Sequence, residues 1–201
     1  NVFNGDNGDD HVMASLGADT YNGDSGDDIL DYSSATFDNN GITGLDLNVG
    51  TVNFAGGLGY THTVSSFYDV RGTNDTVNGD VITGTNNNEI IRGNAGHDTL
   101  SGNAGNDTLY GGDDDDTLNG GDDGDFLYGN AGTDIVNGDG GSDTLYADNA
   151  GGDTLNGGTN GVTGDTVDYT DETSGLNFTL VGGGATDNAG NTLTGIENIT
   201  G

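Results

Sequence analysis

The chain of 201 residues carries 34 acidic residues against two Lys and Arg residues, which gives a formal net charge of −32 at pH 7. This acidity argues against nucleic-acid binding and against binding to anionic membranes, because both need Lys and Arg. The absence of Cys excludes disulfides, thiolate chemistry and cysteine-ligated zinc. No apolar run approaches the roughly 20 residues that span a bilayer, so we expect no membrane insertion.

Residues 1–31 form a short first array of nine-residue repeats. Gly5–Met13 and Gly23–Asp31 share one pattern, with Asp10 or Asp28 at the sixth place and Val12 or Leu30 at the eighth. The start of the chain is neither an initiator Met nor a signal peptide, so we expect a fragment of a longer protein.

Residues 32–71 lose this period and form a predicted β spacer. Alternating or β-prone stretches at 45–49, 51–54 and 61–70 predict short strands that glycine turns connect. No stretch of the chain has a helical pattern.

Residues 72–168 form the main array. Seven consecutive nonapeptides run from Gly84 to Tyr146, and the period extends more loosely to Asp80 before them and to Asp153 and Asp165 after them. The sixth place is held by Glu89, Asp98, Asp107, Asp116, Asp125, Asp134 and Asp143, and the eighth by Ile91, Leu100, Leu109, Leu118, Leu127, Val136 and Leu145. A strict nine-residue period of this kind indicates a coiled repeat architecture and not an ordinary globular core.

Residues 169–201 form a second, truncated β spacer that repeats the first. Asp168-Tyr169-Thr170 repeats Asp31-Tyr32-Ser33, residues 175–178 repeat residues 44–47, and residues 196–201 repeat residues 67–72. The larger repeating unit is therefore an array followed by a spacer. Two independent glycine-rich loops remain the alternative interpretation.

One nonapeptide, Gly102–Tyr110, shows how the repeat would fold. Its first six residues can turn tightly, because Gly and, less freely, Asn and Asp tolerate positive φ. We expect Asn87, Asp114 and Asp123 to meet this requirement at the fourth place, where most repeats have Gly. The next three residues form a strand whose middle side chain points inward. With successive turns on opposite edges, residues eighteen apart stack and the aliphatic residues form a narrow core.

The same stacking would place the sixth-place acids about 4.8 Å apart along each edge. Neighbouring carboxylates such as those of Asp107 and Asp125 are unfavourable at that distance unless a cation bridges them. Oxygen ligands in a flexible turn, without sulfur or imidazole, select Ca²⁺ over transition metals, and Mg²⁺ demands a stricter octahedron. Calcium is therefore the expected ion.

Gly111–Asn119 and Gly138–Tyr146 closely match Gly-Gly-x-Gly-x-Asp-x-aliphatic-x, and the chain thereby resembles the repeats-in-toxin, or haemolysin-type, calcium-binding family. The resemblance implies a right-handed parallel β-roll, type I secretion from a Gram-negative bacterium to the exterior or cell surface, and folding in extracellular calcium. It implies about six or more ions, each held between two stacked turns by both acids and by carbonyls of places one to four.

The ligands that the resemblance implies are turn residues of the two arrays. They are Asp6, Gly8, Asp10, Gly23, Ser25, Asp28, Asp80, Thr85, Asn87, Glu89, Asn94, Gly96, Asp98, Gly102, Asn103, Ala104, Gly105, Asp107, Gly111, Gly112, Asp113, Asp114, Asp116, Gly120, Gly121, Asp122, Asp123, Asp125, Gly129, Asn130, Ala131, Gly132, Asp134, Gly138, Gly140, Asp143, Asp153 and Asp165.

The function expected is structural and not catalytic. His11, His62 and His97 fall in no catalytic motif, and the acids recur too regularly for a unique active site. We expect a calcium-binding module of a large secreted or cell-surface protein, of adhesin or surface-layer type. The alternatives are an accessory module of an extracellular enzyme and a glycan-binding face on the column of Tyr110, Tyr128 and Tyr146. A further alternative is an ice-binding face on the opposite Thr/Asn columns, which lie in the repeats at 99–101, 117–119, 135–137 and 154–156.

Overall fold

The computed structural model describes residues 2–14, 19–33, 42–46, 51–54, 62–65, 67–146, 152–160, 163–170, 179–181, 184–187 and 190–200. Regular structure in these ranges consists of β-strands alone, as the sequence predicts. Consistent with this, the described residues include no helix of the length and apolarity that crossing a membrane requires. The strands, numbered in chain order, form two sheets.

Nine strands form the short sheet, all paired in parallel. They are, in spatial order, β2 (His11–Met13), β4 (Ile29–Asp31), β8 (Asp69–Arg71), β10 (Ile90–Ala95), β12 (Thr108–Asp113), β14 (Phe126–Ala131), β16 (Thr144–Tyr146), β19 (Thr166–Asp168) and β23 (Asn198–Thr200).

Fourteen strands form the long sheet. Its spatial order is β1 (Val2–Asn4), β3 (Thr20–Asn22), β7 (His62–Ser65), β6 (Thr51–Phe54), β5 (Ile42–Asp46), β9 (Val81–Thr83), β11 (Thr99–Ala104), β13 (Thr117–Asp122), β15 (Ile135–Gly141), β17 (Thr154–Asn156), β22 (Thr192–Thr194), β21 (Gly184–Thr186) and β20 (Thr179–Val181), and β18 (Thr159–Asn160) pairs with β15.

The main array alternates between the two sheets, one strand at a time. Leu109 pairs with Ile91 and Leu127 in the short sheet, and Leu118 pairs with Leu100 and Val136 in the long sheet. Each coil therefore uses eighteen residues, two nonapeptides. The predicted all-β fold of parallel β-roll type is confirmed.

The core is a ladder of eighth-place side chains from the two sheets. Ile82, Ile91, Leu100, Leu109, Leu118, Leu127, Val136, Leu145, Leu155 and Val167 are all fully buried. Because each strand contributes one inward side chain, the core is narrow and depends on continuous stacking along the array.

Several strands are longer than the three residues predicted. The backbone pairing of β10 with β12 begins at Ile90 and Thr108 and ends at Ala95 and Asp113. It is interrupted only at the first-place glycine of each strand. Pairing thus extends into places two and three of the next turn, and adjacent turns are held in register by backbone bonds as well as by side chains.

Both predicted spacers add antiparallel strands to the long sheet, β5 to β7 in the first and β20 to β22 in the second. At the end of each spacer the chain returns to the short sheet, and the two returns are held by equivalent hydrogen bonds. The Tyr32 N–H donates to the Arg71 carbonyl at 2.9 Å, and the Tyr169 N–H donates to the Thr200 carbonyl at 2.8 Å. The predicted duplication thus has equivalent hydrogen bonds in the structure, while its match at residues 175–178 lies outside the described residues.

Candidate metal centre

The sixth-place acids form two rows at the edges between the sheets. The long-sheet row, whose acids precede strands of the long sheet, consists of Asp80, Asp98, Asp116, Asp134 and Asp153. The short-sheet row consists of Asp10, Asp28, Glu89, Asp107, Asp125, Asp143 and Asp165. All of these acids except Asp10 are buried.

One carboxylate oxygen of each interior acid accepts a hydrogen bond from a backbone N–H of the previous coil. The Asp98 N–H donates to Asp116 Oδ1 and the Asp107 N–H donates to Asp125 Oδ1, both at 2.7 Å, and the pattern continues along both rows. The sequence predicts this stacking of acids at eighteen-residue spacing.

The other oxygen of these acids is buried without a hydrogen-bond partner. This holds for Oδ2 of Asp28, Asp98, Asp107, Asp116, Asp125 and Asp143. A buried carboxylate oxygen without a donor is costly, because the charge has lost its water and gained no replacement. A cation beside Oδ2 would remove that cost.

Burial also shifts the acids toward their protonated form. Loss of solvent raises the pKa of Asp107 to about 6, of Asp116 and Asp143 to about 7, and of Asp98 and Asp125 to about 8. Burial is the largest cause for Asp125, and Coulomb repulsion from Asp107 and Asp143 of the same row contributes to its raised pKa. These acids therefore lie in a site that disfavours their own negative charge.

The first-place glycines allow oxygen atoms of two successive coils to approach the backbone closely. A Cβ on Gly102 would lie 2.6 Å from the Gly120 carbonyl oxygen and would also meet Asp107 Oδ2. A Cβ on Gly111 would lie 2.7 Å from the Gly129 oxygen and would meet Asp116 Oδ2. A carboxylate oxygen from one coil and a carbonyl oxygen from the next thus both lie close to each first-place glycine, and oxygen donors of these two kinds suit Ca²⁺.

Side chains alone do not complete such a site. Among the residues described, no three His, Cys, Asp or Glu side chains group together as a metal cluster. Each coil places one acid in a row, so further ligands would have to be backbone carbonyls. The predicted ligands outside the sixth place all lie in the turns or in the strand residues that border them.

Backbone conformation at the second and fourth places explains the choice of residues there. Asn94, Asn103 and Asn130 have φ of 83°, 80° and 69° at the second place, and Asp114 and Asp123 both have 77° at the fourth. The expectation for Asp114 and Asp123 is correct. It is wrong for Asn87, which does not have positive φ, because its N–H donates to Thr85 Oγ1 at 3.0 Å in a different turn.

Two residues that the sequence analysis did not select continue the rows. Asn191 Oδ1 accepts the Asp153 N–H and Glu197 Oε2 accepts the Asp165 N–H, both at 2.9 Å. Asn191 also donates to Asp187 Oδ2 at 3.0 Å. The sequence Asn191-Thr192-Leu193 carries the signal, since it is an Asp-Thr-Leu repeat with an amide in place of the acid.

Fifth-place side chains form another ladder that the sequence analysis missed. Asn88 Oδ1 accepts the Asn106 N–H at 2.9 Å, and Asp115 Oδ1 accepts the Thr133 N–H at 2.8 Å. The His97 ring belongs to the same ladder, since its Nδ1 lies 3.2 Å from the Asp115 nitrogen. These variable residues therefore hold successive turns together on the solvent side of the acids.

The outer face of the short sheet carries the predicted tyrosine column. Tyr110 stacks on Tyr128 with ring centroids 4.7 Å apart, and Tyr128 stacks on Tyr146 at 3.9 Å. The Arg92 guanidinium lies over the Tyr110 ring, 5.1 Å from its centroid. The faces that the rings turn toward one another are thus covered, and the ring edges remain for other contacts.

Comparison with known families adds an independent finding. Residues 1–30, 83–118 and 110–145 match the model of the RTX calcium-binding nonapeptide repeat. No significant match was found among curated proteins.

Comparison with solved structures finds a similar chain in the crystal structure of extracellular lipase LipA from Serratia marcescens. The two chains share 19% sequence identity with a TM-score of 0.32, over 98% of this chain and 36% of the lipase chain. The chain thus spans about a third of the length of that protein.

Proposed function

Because the nonapeptide repeats of this chain are RTX calcium-binding repeats, we propose that the chain is a calcium-dependent structural module of a large secreted or cell-surface protein. The observation that carries the proposal is the set of buried Oδ2 atoms without hydrogen-bond partners on interior acids of both rows. Calcium between the coils would give these oxygens the partner that the protein itself does not provide.

The magnitude of this effect supports a role for calcium in folding itself. At calcium a hundredfold above its dissociation constant, each ion would add about 2.7 kcal/mol to the stability of the folded state. Six ions would contribute roughly 16 kcal/mol, more than the whole stability of a typical domain. The chain would then be unfolded in a calcium-poor cytosol and folded outside the cell.

This switch suits export as an unfolded chain, in keeping with type I secretion from a Gram-negative bacterium. Within the parent protein we favour an adhesin or surface-layer role, in which arrays of coils alternate with β spacers. The array and spacer boundaries proposed are 1–31, 32–71, 72–168 and 169–201. The recurrence of the same hydrogen bonds at Tyr32 and Tyr169 supports such a larger repeat.

An accessory or secretion module of an extracellular enzyme is the competing proposal. Sequence flanking the chain in its parent distinguishes the two. Further copies of the array and spacer would favour an adhesin, whereas a catalytic motif would favour an enzyme.

A glycan or cell-surface contact on the tyrosine column is a further part of the proposal. Since the ring faces are stacked, such a partner would contact the ring edges and hydroxyls of Tyr110, Tyr128 and Tyr146. Ice binding on the Thr/Asn columns of the long sheet would instead use polar rows such as Asn119 and Asn137, whose side chains bond at 3.0 Å.

The proposed function is tested by titrating calcium while following far-ultraviolet circular dichroism, with magnesium as the control ion. We expect β signal to develop cooperatively with calcium and not with magnesium. Asp116→Asn should require more calcium because it removes a buried carboxylate from the long-sheet row. Asp113→Asn is the matched control, since it removes one exposed charge from the same turn and leaves the backbone carbonyl, which is the ligand implied for the third place, unchanged. Equal folding in chelator and in calcium would refute a folding role for the ion.

A further inference from the structure

The two turns that open the main array differ from those that follow. Both begin with Gly-Thr-Asn, at residues 72–74 in the turn that ends at Asp80 and at residues 84–86 in the turn that ends at Glu89. Asp80 is the first main-array acid of the long-sheet row and Glu89 is the first of the short-sheet row.

In both turns the threonine donates a hydrogen bond to each of the two carboxylate oxygens of the acid. The Thr85 N–H donates to Glu89 Oε2 at 3.0 Å, and the Thr85 hydroxyl donates to Glu89 Oε1. The Thr73 N–H donates to Asp80 Oδ2 at 2.5 Å, and its hydroxyl donates to Asp80 Oδ1 at 3.2 Å. Each carboxylate thus receives one donor on each oxygen from its own turn.

The acids of the next coil have no such arrangement. Oδ2 of Asp98 and of Asp107 is buried without a hydrogen-bond partner. Their turns carry Asn94 and Asn103 at the second place, where the opening turns carry threonine.

Backbone conformation at the second place separates the same two groups. From Asn94 to Asp139 the second-place residues of all six following turns have positive φ, whereas Thr73 and Thr85 do not. A β-branched residue is strongly disfavoured at positive φ, so threonine imposes a different turn. That turn directs the threonine N–H to the carboxylate.

We propose that the two Gly-Thr-Asn turns are hydrogen-bonded starting turns that require no cation, so that within the main array the series of ion-requiring acids begins at Asp98 and Asp107. The inference rests on the proposed calcium binding, and it narrows the expected ligand set by removing Asp80, Thr85 and Glu89 as ligands. A threonine N–H and hydroxyl replace the ion as the partners of a buried carboxylate.

A starting turn of this kind gives the array a template that calcium does not have to form. The first ion-dependent coil can then pair with strands β9 and β10, which directly follow the starting turns. The sequence itself identifies the starting turns. Threonine follows the first-place glycine in the two turns that open the main array, and Asn, Gly or Asp follows it in the later turns.

The test is to count bound calcium by equilibrium dialysis with radioactive Ca²⁺ on the whole chain. Glu89→Gln is compared with Asp107→Asn, its neighbour in the short-sheet row, and Asp80→Asn with Asp98→Asn in the long-sheet row. Each of the four variants removes one buried negative charge and retains an amide oxygen as a hydrogen-bond acceptor. We expect the Glu89 and Asp80 variants to bind as many ions as the wild type, and the Asp107 and Asp98 variants to bind fewer.

Circular dichroism in saturating calcium establishes that each variant is folded before ions are counted. A Glu89→Gln protein that is folded and binds fewer ions than the wild type would overturn the inference, while calcium binding by the wild type would still support the proposed function. A wild type that binds no calcium would overturn both.

Discussion

Within a single interior aspartate, the two carboxylate oxygens have different environments. Oδ1 of Asp125 accepts the Asp107 N–H at 2.7 Å and fixes one coil on the next. Oδ2 of the same side chain has no hydrogen-bond partner and faces the space beside Gly120. One residue therefore serves both the stacking of the coils and the proposed binding of calcium.

Steric contacts of single residues also explain why glycine occupies the first place of the repeat. Gly111→Ala would place a Cβ 2.7 Å from the Gly129 carbonyl oxygen, and Gly140→Ala would place one no closer than 3.4 Å to any neighbour. We expect Gly111→Ala to cost about 1–3 kcal/mol through overpacking, and Gly140→Ala to cost much less. Chemical denaturation of both variants in saturating calcium measures the difference. Equal losses would mean that the first-place space is not closely packed.

At the scale of a strand, neighbouring residues differ sharply in what they contribute. In β13 and β15 the eighth-place Leu118 and Val136 are fully buried, whereas the seventh-place Ile135 is 47% exposed. Leu118→Ala should therefore destabilise the protein by about 2–5 kcal/mol. Ile135→Ala should have a small effect, because its side chain lies on the outer face. Urea denaturation in saturating calcium provides the comparison, and similar losses for both variants would contradict a core of one side chain per strand.

The two arginines, which are the only Lys or Arg residues in the sequence, lie on the outer face of the short sheet, away from the acid rows. Arg71 Nη2 donates to Asp69 at 3.1 Å, and Arg92 pairs with the same carboxylate. Arg71 also lies 3.7 Å from Asp31, which the His11 ring contacts at 3.1 Å. This cluster joins β2, β4, β8 and β10 across the first array, the first spacer and the main array. It cannot supply the counter-charge that the buried acids need.

Sequence alone predicts the elements that follow the strict period. The eighteen-residue stacking of Leu109 on Leu127 and the positive φ of Asp114 follow from the nonapeptide and the properties of its residues. The position of Asn191 in the long-sheet row is not predictable from the period, because insertions shift its register and an amide replaces the acid. The hydrogen bonding of Thr85 to Glu89 is not predictable from the sequence either, since it depends on which backbone N–H reaches the Glu89 carboxylate.

At the scale of the molecule, the shifted acids make calcium-free folding depend on pH. The folded-state pKa values of Asp98, Asp116, Asp125 and Asp143 are about 7 to 8, above the ordinary value of 3.8. Between these values the folded state binds more protons than the unfolded state, so its stability rises as pH falls and is lost as pH rises toward 8.

We therefore expect the chain in chelator to gain β signal when the pH is lowered from 8 to 5, since protons then neutralise the acids that calcium would otherwise neutralise. Circular dichroism at constant ionic strength measures the change. The calcium midpoint, determined in parallel, should move to higher concentration as the pH falls. Loss of β signal on acidification in chelator would contradict the proposed burial of these acids.

The eighteen-residue coil also determines how the chain would behave under tension. In the main array each coil pairs only with its two neighbours in the stack, so an end coil can detach while the rest keep their contacts. A stacked coil adds about 4.8 Å of length, whereas its residues, pulled straight, reach roughly 60 Å. Loss of one coil would thus lengthen a tether more than tenfold at that point. A chain anchored at both ends would act as an extensible spring whose yield force depends on the calcium around it.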